Sequence, residues 1–205
     1  MSAVTLDVGG GVSLEARLSV PADVRAGVVL CHPHPLYGGD MDSHVVARAA
    51  EACAACNVAT LRFNFRGVGT STGTHDDGRG EQDDVRAALA ELGRRLPAGM
   101  AVAVAGYSFG AAVAAAVAAD TSMAGLALIA PPARITPMTP PSVSGPILIV
   151  VGTDDPYCSP AALKAIRDGL PRVTLTVIDG ADHFFSGALG ELGAALETWA
   201  AALAA

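Results

Sequence analysis

The sequence predicts an α/β protein: a mostly parallel, doubly wound sheet with helices on both faces. Three observations predict it. Short apolar runs rich in Val, Ala, Leu and Ile, each closed by Gly, Pro, Asp or His, alternate with segments of helical periodicity. One stretch, MAVAVAGYSFGAAVAAAVAA from Met100 to Ala119, joins an unbroken strand-like run to an Ala/Val helix through Gly106-Tyr107-Ser108-Phe109-Gly110. Finally, 205 residues that are 51% hydrophobic and only 16% charged suit one domain, residues 1–205, with a substantial core, and exclude disorder.

In chain order, Val4–Val8 and Val12–Val20 flank three glycines and read as a β-hairpin that Pro21 closes. Gly27–Cys31 is a short buried strand leading into His32-Pro33-His34-Pro35-Leu36-Tyr37-Gly38-Gly39. Ser43–Cys56 has helical periodicity, and Val58–Phe65 is the next strand. Asp76–Gly80 is a polar loop before a helix over Glu81–Leu96, which Pro97 ends. After Met100–Ala119 come a strand at Gly125–Ala130, a proline-rich extended connection over Arg134–Pro146, and a strand at Pro146–Val151. A helix over Ala161–Gly169, a last strand at Val173–Ile178 and a terminal helix over Leu189–Leu203 complete the chain.

Composition narrows the function. A net charge of −7 argues against nucleic acid or an anionic membrane as partner. No apolar run has the length of a membrane span, and the N-terminus lacks a signal-peptide pattern, so a soluble cytoplasmic protein is expected. Cys31, Cys53, Cys56 and Cys158 fit reduced thiols in that compartment. Cys53 and Cys56 spell C-x-x-C, but inside an Ala-rich helical pattern they read as two small core residues one turn apart.

Chemistry concentrates where strands end. In a doubly wound sheet the loops after the strand C-termini gather on one edge, and four such loops here carry capable residues: His32–Gly39, Ser108, Asp154/Asp155 and His183. A strand–G-x-S-x-G–helix turn projects its serine from the sheet edge, with the helix N-terminus beside it to favour developing negative charge. A second match, Gly69-Thr70-Ser71-Thr72-Gly73, runs into a polar turn-rich segment and fails that context. A serine hydroxyl is a poor nucleophile until a base takes its proton; imidazole can take it and return it to the leaving group. A buried carboxylate fixes the imidazole tautomer.

The pieces CHPHPLYGGDMDSHVV, LRFNFRGVGTSTG, AGYSFGAAVA, VVGTDDPYCSP and DGADHFF span most of the chain. Together they resemble the α/β-hydrolase superfamily, and more narrowly its small bacterial serine hydrolases without a cap domain. The resemblance implies an α/β-hydrolase fold with eight strands, one of them antiparallel, no large cap, and cleavage of an ester or related acyl bond. It implies Ser108 as nucleophile and His183 as base, and the spacing Gly-x-x-Asp after Gly152 selects Asp155 as the acid, with Asp154 the neighbouring alternative. Asp182 is expected to shape its turn.

An oxyanion hole needs two backbone N–H groups. Phe109, following the nucleophile, is expected to give one. Because Pro33 and Pro35 have none, the second falls to His34, counting forward from His32, or to Leu36, counting back from Gly38-Gly39; Leu36 is preferred. The His32/His34 pair invites a metal reading, but no ligand spacing supports it, so no metal and no cofactor is expected. Arg62 and Arg66 read as loop anchors, and Asp76, Asp77, Glu81, Asp83 and Asp84 as a solvated loop and helix start. The glycines match no phosphate-binding pattern.

The expected function is thus a serine hydrolase working through an acyl-enzyme, with a carboxylesterase for small or extended substrates first. Its partner would be a small-molecule acyl substrate. Thioesterase, peptidase, acyltransferase and a non-catalytic hydrolase-fold binding protein are the alternatives. Substrate-binding residues and oligomeric state are not fixed by the sequence.

Overall fold

Eight strands form one sheet in the order β1-β2-β4-β3-β5-β6-β7-β8 in a computed structural model that describes residues 1–132, 143–158 and 173–205. The strands are β1 (Ser2–Gly9), β2 (Val12–Ser19), β3 (Ala26–Cys31), β4 (Val58–Phe63), β5 (Val102–Tyr107), β6 (Leu126–Ile129), β7 (Ile147–Gly152) and β8 (Val173–Ile178). β2 pairs antiparallel with both β1 and β4, and all other pairings are parallel, so β2 alone runs against the rest. The expected helix Ala161–Gly169, and most of the connection Arg134–Pro146, lie outside the described residues.

The unbroken apolar runs mark the central strands. β3, β6 and β7 are buried along their whole length, as strands covered on both faces must be. Side chains alternate across the sheet and feed two cores. On one face, Val29, Leu61, Phe63, Val104 and Ile149 pack against α2 (Gly80–Arg95) and α3 (Phe109–Asp120). On the other, Val28, Leu30, Ala105 and Val150 pack against α1 (His44–Ala55) and α4 (Leu189–Leu203). Trp199 on α4 donates its indole N–H to the Pro146 carbonyl, 3.0 Å away, tying that helix to the start of β7. Cys53 is buried on the inner side of α1, where burial pushes its thiol up to about 12, and the half-buried Cys56 thiol donates to the Glu197 carbonyl.

Register brings the functional loops together. Cys31 at the end of β3 lies opposite Gly106 of β5, Tyr107 opposite Ile129, and Gly152 of β7 opposite Ile178. The loops after β3, β5, β7 and β8 therefore leave one edge of the sheet side by side.

No helix among the described residues is long and apolar enough to cross a membrane.

Candidate active site

Ser108 stands between β5 and α3 with φ 54° and ψ −117°, a backbone region that costs a non-glycine residue roughly 1–3 kcal/mol. The neighbouring glycines allow this turn by close approach. A Cβ on Gly106 would collide with the Gly110 carbonyl, and one on Gly110 would lie 2.5 Å from the carbonyl oxygens of Cys31 and His32. The Ser108 N–H donates to Ile129 at 2.9 Å, and its carbonyl accepts from Ala111 and Ala112, so the strained turn is held from strand and helix.

Ser108 Oγ lies 2.9 Å from His183 Nε2, and His183 Nδ1 lies 2.8 Å from Asp155 Oδ2. A carboxylate only accepts, so the ring proton is on Nδ1 and the Nε2 lone pair faces the serine hydroxyl. The other Asp155 oxygen accepts from the N–H groups of Tyr157 and Cys158, at 2.8 and 3.1 Å. Asp155 and His183 are buried. Asp154 is exposed; it accepts from the Thr153 hydroxyl and gives its N–H to Ala181.

The loop bearing His183 is fixed from several sides. Asp182 Oδ1 accepts from Phe184 and Ser186 N–H groups, which holds its carboxyl below the ordinary range and shapes the turn. Phe185 plugs the core, fully buried, at φ 55°. His44, at the start of α1, lies 2.8 Å from the Phe184 carbonyl. Tyr107, the residue before Ser108, donates its hydroxyl to the His183 carbonyl at 3.0 Å, and burial pushes its phenol up, so it remains a donor. The Ser108 turn and the His183 loop are thus tied by a side chain that motif reading treats as a variable position. Its only sequence signal is a polar atom on an otherwise apolar strand end.

On the other side of Ser108 lies the loop after β3. Phe65 N–H donates to His32 Nε2 at 3.0 Å, which requires the ring proton on Nδ1, 2.6 Å from the Pro33 carbonyl. His32 is fully buried and neutral: burial lowers it to about 4. Both ring nitrogens are used in anchoring the loop. His34 packs on Phe109 and His75, with ring centroids 4.8 and 5.0 Å away.

Two expectations change here. The Leu36 N–H, preferred as an oxyanion donor, donates to His34 Nδ1 at 3.2 Å and closes the short 3₁₀ turn Pro35–Tyr37. With no N–H on Pro35, Leu36 carries the first donor of that turn, and the turn consumes it. The N–H groups of Phe109 and His34 take no acceptor among the described residues, and the contact of their rings puts them in adjacent segments.

The acidic run is the other correction. Glu81 and Asp84 are buried, not solvated. Glu81 accepts the N–H groups of Asp76 and Gly78, at 2.9 and 2.8 Å. Asp84 takes the Arg66 guanidinium at 2.7 Å and the Arg66 N–H at 3.0 Å, so Arg66 anchors its loop to α2. Arg62 similarly holds the Met41 carbonyl. Ser71, in the second G-x-S-x-G, donates to the Asn64 carbonyl and accepts from Glu15 N–H, which commits it to the loop.

The model of the alpha/beta hydrolase domain family matches residues 25–202. The crystal structure of XC6422 from Xanthomonas campestris, described as a serine hydrolase without lid, is 35% identical with a TM-score of 0.84, covering 96% of this chain and 92% of that one. An alpha-beta serine hydrolase homologue from Coxiella burnetii is also 35% identical, with a TM-score of 0.84 and 96% of each chain covered. The uncharacterized protein RP471 of Rickettsia prowazekii (strain Madrid E) is 32% identical over 186 residues, 84% of this chain and 77% of that protein.

Proposed function

We propose, from the premise that the chain belongs to the α/β-hydrolase family, that this hydrolase is a carboxylesterase acting through an acyl-enzyme on small or extended substrates. The observation that carries the reading is the hydrogen-bonded chain from Ser108 Oγ through His183 to Asp155, at 2.9 and 2.8 Å. Ser108 Oγ attacks the acyl carbon as its proton passes to His183 Nε2, and the carbonyl electrons move onto oxygen. The N–H groups of Phe109 and His34 receive that charge, aided by the N-terminal end of α3. Collapse breaks the bond to the alcohol oxygen, which keeps the electron pair and takes the proton from His183. Water, deprotonated by the same nitrogen, then attacks the acyl-enzyme, releasing the acid and restoring Ser108. Asp155 holds Nδ1–H throughout and stabilises the imidazolium. The description of the similar Xanthomonas protein as a serine hydrolase without lid supports an open site of this kind.

The test is covalent. A fluorophosphonate labels Ser108 and no other serine, and Ser108→Ala loses both the label and turnover of short-chain p-nitrophenyl esters. Labelling of Ser71, or undiminished labelling of Ser108→Ala, overturns the assignment.

A further inference from the structure

The exposed aromatic side chains among the described residues are Tyr37, Tyr157 and Phe184, and all three lie in loops at the C-terminal edge of the sheet. Two of them stand against the proposed base. The Tyr157 ring centroid is 4.8 Å from that of His183 at 68°, and Phe184 is 5.6 Å away at 83°. Both residues are about half exposed, at 44% and 55%. Among the described residues, the fold's own needs at these positions are met elsewhere. Phe185, not Phe184, fills the core, and the link from Tyr157 to Asp155 runs through its backbone N–H.

Acyl transfer gives this placement a consequence. The leaving oxygen must come within about 3 Å of His183 Nε2 to take its proton, so whatever that oxygen carries emerges beside the two rings. The acyl group is held on Ser108 and remains after the alcohol has gone. Aromatic groups pack favourably at centroid separations of about 4.5–7 Å, the range at which both rings already flank the imidazole.

We infer that Tyr157 and Phe184 form the alcohol-side subsite and select esters whose leaving alcohol carries an aryl or other bulky apolar group. The inference rests on the acyl-enzyme reading above and adds to it a substrate class. The step is the one already written: the acyl C–O bond breaks, the electron pair stays on the alcohol oxygen, and the proton on His183 Nε2 completes the alcohol.

Methyl, cyclohexylmethyl and benzyl acetates test it, since their alcohols have similar acidity and they share one acetyl-enzyme. The readout is kcat/KM, which stops at acylation. The benzyl-to-methyl ratio is expected to be about tenfold or more in the wild-type protein. Phe184→Ala and Tyr157→Ala each lower that ratio roughly three- to tenfold, while Tyr157→Phe, which keeps the ring, retains it. Methyl acetate against methyl phenylacetate varies the acyl side in the same variants. If the alcohol ratio is unchanged in both alanine variants, or the acyl ratio falls as far as the alcohol ratio, the subsite assignment is wrong. Fluorophosphonate labelling separates the two levels. A labelled Ser108 without benzyl preference sinks the subsite alone; an unlabelled Ser108 with no ester turnover sinks the hydrolase mechanism and the subsite with it.

Discussion

Asp154 and Asp155 present the same carboxylate one residue apart, and the backbone turns them in different directions. Asp155 is buried with one oxygen on His183 Nδ1 and the other on two backbone N–H groups, whereas Asp154 is exposed. Only Asp155 can keep the imidazole lone pair on the serine side. An asparagine there preserves shape but can stabilise the other tautomer, and the same change in a Ser-His-Asp serine protease costs about 10⁴ in kcat. Asp155→Asn is therefore expected to lose roughly 10²–10⁴ in kcat, with Asp154→Asn within roughly tenfold of wild type. Steady-state kinetics on both variants, with circular dichroism to check folding, decides the matter; a selective failure of Asp154→Asn would make that residue the acid. Tyr107 acts at the same scale but indirectly: its hydroxyl positions the His183 backbone, not the reacting atoms.

Between elements, His32 joins the loop after β3 to the loop after β4, because its Nε2 accepts from Phe65. Burial lowers it to about 4 from an ordinary 6.5, so between those values the unfolded chain binds more protons than the folded one. Stability from this group is therefore full above about pH 6.5 and lost as pH falls toward 4, a difference of about 2–3 kcal/mol. Urea unfolding at pH 7.5 and 4.5 is expected to show wild type losing about that much more than His32→Gln; equal losses would remove His32 from the linkage. The elements themselves were legible in the sequence, since a buried parallel strand must be apolar along its length and a half-buried helix must be periodic, and β3, β7 and α4 follow those patterns. The pairings between loops were not. Nothing local shows that Asp84 turns inward, because the Arg66 guanidinium that makes its burial tolerable is 18 residues away and meets it only in the fold, whereas Glu81 takes donors from its own turn, Asp76 and Gly78. Leu36 shows the same limit: counting along the loop finds its N–H, but only the His34 ring orientation shows it already used.

For the whole molecule, the α/β-hydrolase sheet gathers the site on one edge, in a chain whose net charge is −7. On the loops of that edge Asp40, Asp77 and Asp154 are exposed, while Arg66 and Arg79 are paired with Asp84 and Asp76. Charge of one sign around an open site changes the local concentration of a charged substrate, and salt screens that effect over about 10 Å at 0.1 M. Acetylcholine and 3,3-dimethylbutyl acetate share shape but differ by one positive charge on the alcohol. At about 10 mM salt the cationic ester is expected to be favoured several-fold in kcat/KM, with the advantage shrinking toward unity by about 0.3 M. An ester with a carboxylate on its alcohol should show the reverse slope, and the neutral ester almost none. The aromatic rings beside His183 could also favour a cation, through their faces, but that short-range contact resists salt. A choline preference of the same size at both salt concentrations would thus assign the discrimination to Tyr157 and Phe184, and not to the field of the molecule.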